Sequence, residues 1–296
     1  MPREIEVIAF QNQVVVYDIL FRAVSETLRR IAADPKHLGA EIGFLAVLHT
    51  WGQNLLHHPH IHYLVSGGGI APDGQSWTAC RPGFFLPVRV LSRMFRGLTL
   101  HYLEKAFAAG ELHFFAAYRH LHEPVAFRRH LALARGTEWV VYAKAPFAGP
   151  GQVLDYVGRY THRVAISNSR LASMDDAKVR LRWKDYRDGN RQKTMTLDGG
   201  EFIRRFLIHA LPDGFHRIRY FGFLGNCQRT RKLALCRELL GMAPPGPAGP
   251  PVDYRDRFEA LTGRSLRECP HCRTGVMVVI DSIARFTVCQ PVPDTS

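Results

Sequence analysis

The chain has 296 residues, 46% of them hydrophobic and 22% charged, which is enough for one or two packed domains and excludes a disordered protein. Its 39 Lys and Arg residues against 26 Asp and Glu residues give a net charge of +13, which indicates a polyanionic partner: a nucleic acid, an anionic membrane surface or an acidic polysaccharide. No apolar run approaches the roughly 20 residues of a spanning helix, the start lacks a signal peptide and the six cysteines are mostly far apart, so we expect a cytoplasmic protein with reduced thiols.

The first half of the chain predicts two helices and two strands. Apolar residues at helical spacing predict a helix over 14–33, and a second helix is predicted over 86–109. Between them, the apolar run IGFLAVL (42–48) and the segment HIHYLV (60–65) have the length and composition of strands. The short turn segments that separate and follow these strands predict that the two are antiparallel neighbours.

The second half continues the mixture of strands and helices. The segment WVVYA (139–143) predicts a strand, and the turn Asp188-Gly189-Asn190 predicts a β-hairpin. Further helices are predicted over 153–160, 201–211 and 228–240. Because strands and helices do not alternate strictly, we expect an α+β fold rather than a doubly wound sheet.

A histidine pair on the second predicted strand is the first candidate site. Residues i and i+2 of a strand point to the same face, so His60 and His62 project together while Ile61, Tyr63 and Val65 face the core. Two imidazoles can bind one metal ion, and Gln53 is the first candidate for a third ligand. His58 and His162 are weaker candidates. The alternative interpretation is a polar, histidine-rich surface loop.

A tyrosine pair is the second candidate site. Tyr156 and Tyr160 are four residues apart on a predicted helix and therefore share one face. A phenol with a pKa near 10 needs a base or a metal ion to act as a nucleophile at neutral pH. Arg159 and Arg163 bracket the second tyrosine and are candidate phosphate ligands. The alternative interpretation is an ordinary apolar face that packs on the core.

Basic and aromatic residues are interleaved farther along the chain, a pattern typical of proteins that bind single-stranded DNA. The candidate DNA-binding residues are Arg182, Lys184, Arg217, Arg219, Arg229 and Arg231. The alternative for 215–233 is a buried strand followed by a solvated basic helix. Near the end, Cys269 and Cys272 have the spacing of half a zinc site, with Cys289 as a candidate third ligand and an unmetallated tail as the alternative.

Three segments, LHTWGQNLLHHPHIH, CRPGFFLPVRVLSR and YVGRYTHRVAISNSRL, resemble the two-tyrosine rolling-circle transposases of insertion sequences, a branch of the HUH endonuclease superfamily. The resemblance runs from about residue 10 to residue 245. It implies an antiparallel sheet flanked by helices, with His60 and His62 as ligands of Mg²⁺ or Mn²⁺. It also implies that Tyr156 and Tyr160 attack single-stranded DNA and form 5′-phosphotyrosine intermediates.

The resemblance also suggests a domain organisation. We expect an HUH-type nuclease core over 1–172, a β-hairpin and helical DNA-binding extension over 173–243, a Pro/Gly linker over 244–252 and a C-terminal tail over 253–296. Relatives of full length carry an N-terminal zinc-binding module and a first strand, so we expect an N-terminally truncated copy. A replication initiator or relaxase, and a catalytically idle DNA-binding remnant, are the alternative functions.

Overall fold

The computed structural model describes residues 1–83, 85–144, 149–161, 165–186, 188–244, 246, 253–263, 265–278 and 280, with only the backbone of 150, 155, 159, 160 and 261. The chain divides into two compact units, Met1–Ala243 and Pro244–Ser296. None of the helices in the described part of the chain has the length and hydrophobicity that a membrane crossing needs.

The described elements are mixed α+β with antiparallel sheets, as expected. The helices are α1 (Arg3–Gln11), α2 (Gln13–Ala33), α3 (Val88–Ala108), α4 (Pro124–Gly136), α5 (Pro150–Thr161), α6 (Gly199–Leu207), α7 (Arg229–Leu239) and α8 (Tyr254–Thr262). The strands are β1 (Gly43–Trp51), β2 (His57–Val65), β3 (Gly68–Ile70), β4 (Trp77–Ala79), β5 (Leu171–Asp175), β6 (Lys178–Asp185), β7 (Arg191–Asp198) and β8 (Ile218–Gly222).

The central sheet has the strand order β2-β1-β8, and both pairings are antiparallel. This confirms the prediction that the two strands of the first half are neighbours. Strand β8 comes from the segment assigned to the DNA-binding extension, so that segment contributes a strand to the central sheet. The predicted domain boundaries themselves stay a prediction.

The two faces of the central sheet have different surroundings. Phe44, Ala46 and Leu48 of β1 alternate with Leu45 and Val47, as a strand requires. The first three residues join the core that α2 and α3 build, and the partners of β1 on that face, Ile61 and Tyr63 of β2, pack there as predicted. The opposite face of the sheet is therefore the one that can carry a site.

The two opening helices meet at Asn12, a buried residue with a non-helical backbone. Its side-chain nitrogen donates to the carbonyl of Ile8 at 3.1 Å and to that of His113 at 2.9 Å, and its side-chain oxygen accepts from the amide of His113 at 2.7 Å. Helix α2 confirms the predicted helix over 14–33. Helix α1 was not predicted, because its nine residues give only about two and a half turns of helical periodicity.

A second sheet, with the order β5-β6-β7, contains the predicted hairpin. Val179 and Leu181 of β6 face a small core with Leu55, Ala165 and Ile166, and the alternate residues of β6 point outward. Arg170 fastens this sheet to the turn between β1 and β2, since its guanidinium donates to the backbone carbonyls of Arg182 (2.9 Å) and Gln53.

The predicted strand over 139–143 is wrong. In the described part of the chain this segment has no strand partner, and Val140 and Tyr142 are 89% and 79% exposed. The carbonyl of Trp139 accepts a hydrogen bond from Ser92 of α3, and its indole donates to Ala134 of α4 at 2.9 Å. The carbonyl and the indole of Trp139 are therefore hydrogen-bonded to α3 and α4 and not to a neighbouring strand.

The second unit contains α8 and an isolated β-bridge between Glu268 and Val276. Asp253 caps α8 by accepting from the amide of Arg255 at 2.9 Å. Most of the predicted Pro/Gly linker lies outside the described residues.

Candidate active site

Three histidines lie together on the face of the central sheet that is turned away from α2 and α3. The antiparallel register places His49 of β1 directly opposite His60 of β2, and His62 is the next residue of β2 on the same face. One nitrogen from each of the three rings lies within 4.8 Å of the others. The predicted pairing of His60 and His62 on one face is confirmed, with ring centroids 4.8 Å apart.

His60 is held in a tautomer that suits metal binding. Its Nδ1 lies 2.8 Å from the carbonyl oxygen of His58, which can only accept, so Nδ1 carries the hydrogen and Nε2 has the lone pair. Burial lowers the pKa of His60 to about 4, and the backbone hydrogen bond opposes this only in part. The imidazole is therefore neutral at physiological pH, the form that a metal ion requires.

His49 is the member of the cluster that the sequence analysis missed. It is 2% exposed, and its ring stacks on Trp51 with centroids 4.6 Å apart. It directly follows the apolar run 42–48, which predicted a strand of the core and drew attention away from the polar residue at its end. The register of the β1–β2 hairpin is the signal that could have found it, because pairing residue 49 with residue 60 places it beside the predicted histidines.

The other predicted metal ligands have different surroundings. The side-chain nitrogen of Gln53 donates to the hydroxyl of Tyr186 at 3.4 Å. His58 forms an ion pair or hydrogen bond with Glu6 of α1, and His162 lies outside the described residues. Gln53 as a third ligand stays a prediction, and His49 has a stronger geometric case.

The donor set decides which ion the cluster suits. Three imidazole nitrogens match first-row transition ions, whereas Mg²⁺ prefers an octahedron of oxygens. Of the two ions expected from the sequence, Mn²⁺ therefore fits this cluster better than Mg²⁺.

The predicted tyrosine helix is present as α5, and Tyr156 is partly buried on it. The side chains of Arg159 and Tyr160 are outside the description, and so is Arg163. The C-terminal end of α5 is held by Arg217, whose guanidinium donates to the carbonyl of Thr161 at 2.6 Å. The carbonyl of Arg217 accepts from the amide of Leu48 at 2.9 Å. One residue thus links the end of α5 to the strand position beside His49.

The remaining basic candidates divide into two groups. Arg182 and Lys184 follow each other on one face of β6, and Arg182 is exposed while Lys184 lies 5.7 Å from the ring of Tyr186. Arg219, in contrast, stacks 4.2 Å over the ring of Phe21 and pairs with Asp18 of α2 at 2.5 Å. Arg219 therefore lies on the helix-covered face of the central sheet and contributes to its packing.

On α7, Arg229 and Arg231 are exposed at the start of the helix. Arg229 lies 5.6 Å over the ring of Tyr220, and Arg231 donates to the side chain of Gln228 at 3.3 Å. Segment 215–233 contains strand β8, whose residues are partly buried or exposed, and the beginning of helix α7. This arrangement leaves both arginines available to a ligand.

In the second unit, the amide of Gly275 donates to Sγ of Cys272 at 3.3 Å, and the amide of Cys269 donates to the carbonyl of Gly275 at 2.8 Å. Hydrogen bonds from Thr274 lower the pKa of the Cys272 thiol to about 6; the bond from its backbone has the largest effect, and the bond from its side chain comes next. A thiolate favours metal binding. Zinc at Cys269 and Cys272 stays a prediction, and Cys289 lies outside the described residues.

Comparison with known proteins gives consistent matches. Residues 43–231 match the model of a family described as "Putative transposase", a span that includes all three clustered histidines and α5. The chain is 66% identical over 283 residues to "Putative transposase y4qJ" of Sinorhizobium fredii, covering 95% of this chain and 71% of that protein. It is 30% identical over 272 residues to "Transposase for insertion sequence element IS801" of Pseudomonas savastanoi pv. phaseolicola, covering 92% and 63%. No solved structure matches the chain.

The histidine cluster predicts a specific pattern of metal affinities. We expect His49→Ala to weaken Mn²⁺ binding about tenfold or more, because it removes one of three converging donors. Gln53→Ala should change the affinity less than about twofold, and so should His37→Ala, which removes an exposed histidine elsewhere. Calorimetric titration measures the affinities, and urea unfolding of each variant checks that it is folded. Loss of binding in Gln53→Ala with normal binding in His49→Ala would assign the third ligand to Gln53 instead.

Proposed function

This chain belongs to the transposase family of insertion sequences, and we propose that it nicks and rejoins single-stranded DNA at the ends of such an element through a phosphotyrosine intermediate. The proposal takes the fold to be of the HUH type. The observation that supports it best is the link from the histidine cluster on β1 and β2, through Arg217, to the C-terminal end of the tyrosine helix α5.

The proposed ligands of the metal ion are His49, His60 and His62. A divalent ion bound there would polarise the scissile phosphate and offset the negative charge that develops during transfer. Burial keeps His60 uncharged, so its nitrogen needs no deprotonation before binding. The carbonyl of His58 fixes the orientation of that ring, which positions the ion relative to the protein.

The proposed nucleophiles are the phenolic oxygens of Tyr156 and Tyr160. In each step the phenol loses its proton and attacks phosphorus, the bond to the 3′ oxygen breaks, and that oxygen takes up a proton. The products are a 5′-phosphotyrosine and a free 3′-OH, so the phosphodiester energy is conserved and no nucleotide is hydrolysed. The reverse step with another 3′-OH rejoins the strand. A pair of tyrosines allows two such intermediates in one cycle.

A second role is proposed for Arg217 beside the predicted DNA contact. Its guanidinium donates to the carbonyl of Thr161, one residue beyond Tyr160. A cation at a helix C-terminus interacts favourably with the helix dipole and with an unpaired carbonyl. We assign Arg217 as a positioning residue that holds α5 against the sheet.

The outward face of β6 is the proposed surface for the DNA strand. Arg180, Arg182 and Lys184 are two residues apart on this face, which spaces their Cα atoms by about 6.7 Å. Their cross-strand neighbours on β7 are Thr196, Thr194 and Gln192, side chains that can also donate to phosphates. Arg159 and Arg163 are proposed to contact the scissile phosphate, and Arg229 and Arg231 to contact DNA farther along.

The alternatives are less well supported. The two relatives are named as transposases, which favours transposition over a replication initiator or relaxase. Three converging histidines and a partly buried Tyr156 favour an active enzyme over a catalytically idle remnant. The N-terminal truncation expected from the resemblance stays a prediction.

The chemistry predicts a covalent adduct with DNA. The protein, incubated with Mn²⁺ and a labelled single-stranded oligonucleotide that carries an element end, should form a species that survives SDS gel electrophoresis. The double variant Tyr156→Phe, Tyr160→Phe should form none, because it keeps the rings and removes both phenolic oxygens. His49→Ala should reduce the adduct by about a hundredfold, the range seen when an electrostatic stabiliser is lost. Adduct formation at the wild-type level in the double variant would refute the mechanism.

If Arg217 is a positioning residue, its loss should lower the rate of adduct formation and leave DNA affinity nearly unchanged. Arg217→Ala should slow adduct formation at saturating DNA about tenfold or more, because a small displacement of the nucleophile is costly, while DNA affinity changes little. Arg217→Lys should restore part of the rate. Arg180→Ala, which removes one exposed charge from β6, should weaken DNA binding and leave the rate at saturation unchanged. Single-turnover kinetics measures the rate of adduct formation, and fluorescence anisotropy measures DNA affinity. If Arg217→Ala lowered only the DNA affinity and left the rate at saturation unchanged, Arg217 would be a DNA contact and not a positioning residue.

A further inference from the structure

A cavity of about 740 Å³ opens at the far end of the central sheet from the histidines. Its walls come from the second half of α2, the residues before β1, the turn after β3 and the first turns of α7. The charged residues that line it are Glu26, Arg29, Arg30, Glu41, Arg231 and Lys232. Ile42, at its base, precedes His49 by seven residues of extended chain, which corresponds to about 23 Å.

The cavity has an excess of positive charge. Four cations and two carboxylates line it, and each carboxylate has a cationic partner: Glu26 pairs with Arg30, and Glu41 pairs with Lys232 at 2.5 Å. Arg29 and Arg231 form no ion pair within the described part of the chain, and both are exposed at the opening. Two guanidinium groups are therefore available to an anion from outside the protein.

Neighbouring groups extend this positive region. Helix α7 has 11 residues and begins at Arg229 without a side-chain cap, so its first amide groups and the positive end of its dipole lie beside Arg231 and Lys232. Arg229 lies over the ring of Tyr220, which is 43% exposed. An aromatic surface next to arginines is a common platform for an unpaired base.

We propose that this cavity binds a backbone phosphate of the DNA strand at a position remote from the reacting bond. The proposal rests on the function proposed above, which supplies DNA as the anionic ligand. An extended single strand spans more per nucleotide than the 3.4 Å rise of a duplex, so a separation of about 23 Å is within reach of a strand of a few nucleotides. Arg29 and Arg231 are the phosphate ligands, whereas the ion pairs with Glu26 and Glu41 fix Arg30 and Lys232 in the wall. The site increases retention of DNA and takes no part in the covalent step.

The salt dependence of DNA binding tests this assignment. The variant Arg29→Gln, Arg231→Gln removes both proposed ligands, and the control Arg128→Gln, Arg129→Gln removes two exposed arginines of α4, so that both have the same net charge. Each phosphate contact with a single strand contributes about 0.7 to the slope of log K against log salt. Losing the contact with this one phosphate should lower the slope for a 30-nucleotide strand by about 0.7. Raising the salt from 50 to 200 mM should then weaken wild-type binding about 2.6-fold more than binding by the variant.

The control variant should keep the wild-type slope. A dinucleotide, too short to reach from the histidines to the cavity even when extended, should bind at the histidines of the cavity variant and of the control equally well. Equal slopes for the cavity variant and the control with the long strand would overturn the proposal. A thermal shift of the wild-type protein by inorganic phosphate or ATP that the cavity variant loses, with no change in the DNA slope, would assign the cavity to a small phosphate ligand and overturn the DNA assignment.

Failure of this inference and failure of the proposed function give different results. If the cavity variant loses the expected slope while wild-type protein forms no covalent adduct, the cavity binds DNA and the phosphotyrosine chemistry is wrong. If adduct formation is normal and the slopes are equal, the chemistry stands and the cavity has no part in DNA binding.

Discussion

The antiparallel pairing of β1 with β2 is the constraint on which the site depends. Its register places His49 opposite His60 and brings His62 into the same group, while the alternate residues of both strands build the core beneath α2 and α3. A shift of the register by one residue would bury the histidines in that core and expose its apolar residues. Hydrophobic burial of one face therefore fixes the position of the proposed metal ligands on the other.

The same sheet sets the position of the proposed nucleophiles. Strand β8 pairs with β1 and carries Arg217 into contact with both β1 and α5. The close approach of β8 to β1 requires glycine at its end: Gly222 has φ +61°, and a Cβ there would lie 1.8 Å from the carbonyl oxygen of Ile42. At this same end of the sheet the chain turns towards α7 and the basic cavity. One sheet thus organises the candidate active site at one end and the proposed remote phosphate site at the other.

Local patterns predicted the parts of the molecule whose periodicity is strong. Helical spacing gave α2, and the Asp188-Gly189-Asn190 turn gave the β6–β7 hairpin. The period of two gave His60 and His62 on one face. Predictions that depend on contacts distant in sequence were less successful. His49 was hidden because an apolar run signals a core strand, and only the pairing partner reveals its role.

Charge and composition were similarly incomplete guides to individual residues. Arg217 and Arg219 were grouped with the DNA-binding residues because they lie in a basic stretch, and that assignment stays a prediction. The structure adds contacts that the local pattern did not predict: Arg217 donates to the carbonyl of Thr161, and Arg219 stacks on Phe21. WVVYA has strand composition, yet contacts with α3 and α4 satisfy the polar groups of Trp139. Arg29 was overlooked because α2 reads as a core helix, and its position beside α7 follows from tertiary packing.

The central claim is that the histidine cluster and the tyrosine pair form one site. The most direct test is ¹⁹F NMR of protein labelled with 3-fluorotyrosine, titrated with paramagnetic Mn²⁺ and assigned with single Tyr→Phe variants. Stoichiometric Mn²⁺ should broaden the signals of Tyr156 and Tyr160 and leave that of Tyr102, which donates to Glu26 at the far end of the sheet, much sharper. In His49→Ala it should broaden neither Tyr156 nor Tyr160. Sharp signals from both tyrosines while Mn²⁺ is bound at the histidines would contradict the account.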